Sequence, residues 1–118
     1  MIVKRNKFFT LITGILIFFC FSNIVAAGEF EGSWQLDDSN GKPFEAIFSK
    51  DGTASGTHGD SMKHGIWKEE SGAAVIHWNT GWTTRIEKSG DKYVKSAFKP
   101  GASLTGIPTN TSAAIKKK

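Results

Sequence analysis

Imidazole and carboxylate groups that could hold a metal or move a proton are few in this sequence, and His58, Asp60, His64 and His77 are the set to consider. Their donor types suit zinc or another divalent transition metal. A two-residue turn at Ser71-Gly72 would place Trp67 opposite Ile76, Ile66 opposite His77 and His64 opposite Asn79. His64 and His77 then become diagonal neighbours on one sheet face, with His58 and Asp60 supplied by the glycine-rich stretch before them. The competing reading makes all four ordinary solvated side chains, because a turn of odd length would separate the two strand histidines. No serine, Ser61 included, lies in a nucleophile turn such as G-x-S-x-G. Without a matched nucleophile, base and orienting group, the expectation is a protein that is not an enzyme and needs no cofactor.

Aromatic rings offer the second kind of chemistry, which is stacking. Trp78 and Trp82 flank the Asn79 to Gly81 turn, and Trp67 joins their face by opposing Ile76. As a platform for a sugar or another flat ligand, these three indoles would use Arg85 and His77 as polar contacts. As core, they would fill the interior, since indoles bury well and stabilise hairpins.

The elements that must position these residues are short strands. Alternating apolar and polar residues recur from Phe30 to Phe98, separated by turn residues, and no stretch of that body has a helical period. Strands are expected near Phe30–Leu36, Phe44–Phe48, Thr53–Thr57, Lys63–Glu69, Ala73–Asn79, Trp82–Ile86 and Tyr93–Phe98. Turns are expected at Asn40-Gly41, Asp51-Gly52, Ser71-Gly72, Asn79–Gly81 and Ser89–Asp91, with Gly81 left-handed. Gly56 to Gly65 has the composition of a long loop. About seven strands in sequence give an all-β, antiparallel up-and-down meander that closes into a small barrel or flattens into a sandwich, and the barrel is the expected form. Residues 28–99 would form this domain. Residues 100–118, with Pro100-Gly101, Pro108 and a run of Ser, Thr and Asn, have the composition of a polar tail, although Leu104 and Ile107 could pin part of it to the body.

Gly32-Ser33-Trp34 on the first strand, followed by the meander, resembles the lipocalin and avidin-like families, in which a G-x-W opens an up-and-down barrel. The resemblance implies a binding protein for an unknown small molecule or protein, with no catalysis. Ser89-Gly90-Asp91-Lys92-Tyr93 is similar to a loop of the periplasmic C-type lysozyme inhibitors. That likeness implies that Ser89 enters the lysozyme cleft with Tyr93 as its support, but the Thr-Lys-Gly motif and the disulfide of those inhibitors are missing here.

The N-terminus sets the compartment. Lys4, Arg5 and Lys7 precede an apolar run from Phe8 to about Phe21, and Val25, Ala26 and Ala27 follow, which is the order of a signal peptide spanning residues 1–27. An uncleaved anchor and a lipid-modified Cys20 are the alternatives, the latter disfavoured by Phe19 before the cysteine. Cleavage after Ala27 gives a secreted or periplasmic protein that meets the membrane only through its leader. The leader carries three of the 15 basic residues and none of the 11 acidic ones, leaving 12 against 11, a net charge of +1. Lys116, Lys117 and Lys118 supply three of those 12, so the body is slightly acidic and no nucleic-acid partner is expected. Cys20 leaves with the leader, which excludes a disulfide or thiolate chemistry in the body.

Overall fold

The computed structural model describes residues 28–117, so the expected signal peptide, with Cys20, lies outside the described residues. Eight antiparallel strands follow one another in sequence and close into a barrel, β1-β2-β3-β4-β5-β6-β7-β8. They are β1 Gly32–Asp37, β2 Pro43–Phe48, β3 Thr53–His58, β4 Ser61–Glu70, β5 Ala73–Trp78, β6 Thr83–Ser89, β7 Lys92–Phe98 and β8 Asn110–Lys116.

Two turn types connect the meander. Three-residue turns, closed by the backbone pairs Asp38–Lys42, Ser49–Thr53 and Trp78–Trp82, join β1 to β2, β2 to β3 and β5 to β6, and in each the last residue (Gly41, Gly52 or Gly81) has positive φ. Its amide donates back across the turn, as Gly81 does to the Trp78 carbonyl at 3.0 Å. A Cβ in that left-handed region would be strained, which is why glycine recurs there. Two-residue turns join β3 to β4, β4 to β5 and β6 to β7. At Ser71-Gly72 both residues have positive φ, 54° and 81°, the signature of a type I′ turn. The register is the one expected from that turn, with Trp67 opposite Ile76 and Ile66 opposite His77.

Two expectations need correction. The stretch from Gly56 to Gly65 is not a long loop: β3 and β4 run to His58 and from Ser61, which pair across a tight turn at Gly59-Asp60. The segment expected as a polar tail supplies β8, which pairs with β7 from Tyr93↔Ala114 to Ala97↔Asn110 and with β1 at Trp34↔Lys116 and Gln35↔Ile115. The chain from Lys99 to Thr109 crosses the outside of the barrel before β8 begins. There Arg85 Nη1 donates to the Leu104 carbonyl at 3.0 Å, and Pro100 lies against Gly81. Leu104 is half-buried, whereas Ile107 is exposed. This crossing accompanies a second small cluster outside the barrel, where the outward side chains Ala73, Val75, Thr83 and Phe98 are buried.

Alternation along each strand sends one set of side chains into the barrel. Phe30, Trp34, Leu36, Phe48, Ile76 and Ile86 are at most 1% exposed and make the core. One end is a packed floor. Trp34 meets Tyr93 edge-on at 4.9 Å and Phe30 at 6.2 Å, its indole N–H donates to the Phe30 carbonyl, and Trp67 packs on Phe48 at 5.6 Å. Gly65 allows the close pairing of β4 with β5, since a Cβ there would stand 2.4 Å from the His77 carbonyl oxygen.

Gly65→Ala should therefore cost about 1–3 kcal/mol in urea unfolding, the usual penalty for forcing apart packed groups. A chain ending after Ile107 should lose the barrel's cooperative thermal transition and scatter light, because β1 and β7 would become free edges. A truncated chain that melts like the full one would show that β8 is dispensable.

Candidate functional site

The end opposite the floor is open. It is framed by the β1–β2, β3–β4 and β5–β6 turns, and holds a cavity of about 360 Å³ with Asp38, Phe44, His58, Met62, Lys63, Trp82, Thr84 and Lys95 among its walls. Small side chains make the room. Gly56, on the inward face of β3, leaves its place to Lys63 and Phe44, whose atoms lie 3.1 and 3.3 Å from where a Cβ would stand.

Two lysines point into the barrel here. Lys95 sits on the inward face of β7 opposite Ile86 and Ser112, and is only 2% exposed. Its ammonium donates to the Asp37 backbone carbonyl. Lys63, opposite Gly56 on β4, lies over the faces of Phe44 and Trp78, with Nζ 4.3 and 4.5 Å from the two ring centroids. Among the described residues its ammonium has neither a hydrogen bond nor an ion pair. Burial pushes the Lys95 amine down to about 8, Lys63 adding to the effect while Asp38 and Asp37 oppose it. Burial lowers Lys63 as well, again opposed by Asp38.

Asp38 is the carboxylate of this cavity, and it is already engaged. Its Oδ1 accepts from the amides of Asn40 at 2.8 Å and Lys42 at 2.9 Å, and its Oδ2 lies 3.2 Å from His58 Nε2. The Lys42 amide foremost, with the Asn40 amide and the His58 ring, holds its carboxyl below the usual carboxylate range despite desolvation. The His58 ring stacks on Phe44 at 4.5 Å, but its Nε2 is not aimed along a hydrogen bond to Asp38. Ser112 Oγ and Asn110 Oδ1 are likewise buried with no partner among the described residues. Their pairing with Lys95 and Ala97 puts both on the inward face.

The structure redistributes the residues singled out in the sequence. Trp78 and Trp82 are at the mouth, where Trp78 is buried with its indole N–H on Thr84 Oγ1 at 2.9 Å and Trp82 is half-buried in the cavity wall. Trp67 belongs to the floor and donates to the Ser49 carbonyl at 2.8 Å. Arg85 and His77 are on the outer face: Arg85 holds the Lys99–Thr109 crossing and stacks on Phe98, and His77 lies 3.2 Å from Thr83 Oγ1. The four metal candidates are not assembled either. His58 faces inward, His64 and His77 share the outer face, and Asp60 is exposed in the β3–β4 turn. Among the described residues no group of three His, Cys, Asp or Glu could hold a metal ion. Ser89 and Tyr93 lie at the floor end and on opposite faces. Tyr93 points inward, its hydroxyl donating to Glu29 Oε2 at 3.1 Å, so it supports the floor rather than Ser89.

Lys63 and Lys95 were missed because lysine is ordinarily read as a solvent-facing residue. The signal was strand parity, which puts Lys95 on the face of Tyr93 and Ala97, and Lys63 on that of Gly65 and Trp67.

Depressed lysines leave a trace in stability. From pH 8 towards 10.5 the unfolded chain retains a proton that folded Lys95 has released, so stability rises with pH across this window, with Lys63 acting in the same sense. Lys95→Met should flatten the rise and gain about 1–3 kcal/mol at pH 7, less where solvent in the mouth screens the charge. Urea unfolding at pH 7, 8 and 9.5 checks this, below the range in which Tyr93 titrates. A slope equal to that of the unaltered protein would show that the amine is fully hydrated.

Compared with known proteins, the chain matches no family model, no curated protein and no solved structure.

Proposed function

We propose that this protein is an exported, non-enzymatic carrier or sensor that binds a small ligand in the mouth of its barrel. The observation that carries the reading is the cavity of about 360 Å³, whose lining combines the apolar rings of Phe44 and Trp82 with Lys63, Lys95 and Thr84. Ligand sites of about 300–1,000 Å³ combine apolar walls with a few convergent polar groups in this way, and the mouth of a barrel is a common place for them. An eight-stranded barrel is just wide enough to be filled by side chains or to hold one small ligand. Here the floor follows the first course and the mouth the second.

Gly32-Ser33-Trp34 on β1 of a closed up-and-down barrel supports the likeness to lipocalin and avidin-like binding proteins. The leader expected at residues 1–27 supports export to the periplasm or the medium.

Trp82 is the residue that separates binding from folding. Trp78 is buried against Lys63, Phe44 and Thr84, so Trp78→Ala should unfold the barrel as well as alter the site. Trp82→Ala should leave the circular dichroism intact and weaken binding of the neutral fluorescent probe N-phenyl-1-naphthylamine about tenfold, the worth of one good aromatic contact. Equal binding by the variant would place the ligand elsewhere, and no binding by either protein would remove the reading.

A further inference from the structure

The ligand's chemical class follows from the charges of the mouth, and this step rests on the binding reading above. We propose that the mouth is an anion site: Lys63 and Lys95 receive the oxyanion head of a small organic acid, and Phe44 and Trp82 receive its apolar body.

A charge withdrawn from water is stable only when it is paired and hydrogen-bonded. Lys95 is withdrawn, at 2% exposed, yet its partner is a backbone carbonyl carrying only a partial charge. Lys63 is half-buried, and its contacts are the ring faces of Phe44 and Trp78. The acidic side chain that could neutralise them, Asp38, is occupied by two backbone amides and by His58. Among the side chains that line the cavity, two ammoniums and one carboxylate leave one positive charge in excess with His58 counted as uncharged; Asp37, which also acts on Lys95, is not in the lining. One negative charge balances that excess, so the site favours a monoanion, a carboxylate or sulfonate, over a dianion.

The ammoniums are also placed to act together. Both flank the same ring, Lys63 at 4.3 Å and Lys95 at 5.7 Å from the Phe44 centroid. Lys63 has all three N–H donors available and Lys95 two, enough for the lone pairs of one oxyanion. Low-dielectric walls strengthen each contact and favour the anion over bulk water. The apolar body then lies towards the opening, where Trp82 is half-buried. A volume near the lower limit for ligand sites keeps the acid small.

The test compares two probes that share a ring system and differ in one sulfonate, 1-anilinonaphthalene-8-sulfonate and neutral N-phenyl-1-naphthylamine. The unaltered protein should bind the sulfonate at least tenfold more tightly. Lys63→Gln should weaken the sulfonate far more than the neutral probe and so bring the two affinities close together, and octanoate should displace the sulfonate where octanol does not. Raising the pH from 7 to 9.5 should shrink the preference as Lys95 loses its proton, with Lys63, Asp37, Asp38 and His58 the titratable groups around it. Lys95→Met, checked for its fold by circular dichroism, should act as Lys63→Gln does, and the pH series carries that arm if the variant does not fold. Equal affinities for the two probes, or a preference that survives both substitutions, would overturn the anion assignment and leave the binding reading standing. Absence of binding by either probe would overturn both.

Discussion

Closure is the constraint on which the rest of the structure depends. Eight strands joined edge to edge leave no free hydrogen-bonding rim, but they fix the width of the interior, and each inward position must be filled or left open by the side chain the sequence supplies. The seam that closes the sheet is short. β1 and β8 pair at Trp34↔Lys116 and Gln35↔Ile115, and the Lys117 amide donates to the Ser33 carbonyl. At the far end of β1 the Asp37 carbonyl receives the buried ammonium of Lys95. A side chain from β7, which β8 separates from β1, thus ties down the end of the strand that closes the barrel and links the architecture to the charge in its mouth.

Side-chain size then divides the barrel along its axis. Phe30, Trp34, Phe48, Trp67 and Tyr93 fill the floor, and their rings touch in a continuous cluster. Towards the mouth, Gly56, Thr84 and Ala97 line the interior instead, and volume is left between them. The interior is also divided around its circumference. Inward positions on β1, β2 and β5 are mainly apolar, while β7 and β8 contribute Lys95, Asn110 and Ser112. A purely structural barrel would gain stability from apolar residues at those positions, since a lysine buried without a carboxylate lowers it.

This polar side also explains what the sequence could and could not disclose. Where the inward face is apolar, alternation gave strands and register correctly: Trp34 and Leu36, Phe44 to Phe48, and the Ser71-Gly72 turn with its pairs all stand where pattern and turn chemistry put them. β8 was illegible because neither of its faces is a run of large apolar residues. It presents Asn110, Ser112 and Ala114 inward against a polar region, so its composition is that of a solvated tail. The Gly59-Asp60 hairpin was hidden for a related reason, since Ser55, Gly56, Thr57 and His58 carry no hydrophobic period to mark a strand. The tryptophans were correctly placed on one face, but a face runs the length of the barrel, and one-dimensional parity cannot say that Trp67 is at the floor and Trp82 at the mouth. Arg85 and His77 failed as site residues by parity alone, being odd-numbered neighbours of inward Thr84, Ile76 and Trp78.

On the anion reading proposed above, the lysines bring folding and binding into one equilibrium. With its amine driven down to about 8, Lys95 can be relieved in two ways, by losing its proton or by gaining an anion. These are alternatives, because the charge that an anion requires is the one that deprotonation removes. Proton release at Lys95 and anion binding must therefore oppose each other by the same factor in both directions, since linkage is reciprocal. An anion that binds only the closed barrel also stabilises it by mass action, and does so most below pH 8, where the unpaired ammonium lowers stability most. On that reading, the same geometry that weakens the empty fold would make its stability responsive to a ligand, through a group that reaches the end of the strand that closes the barrel.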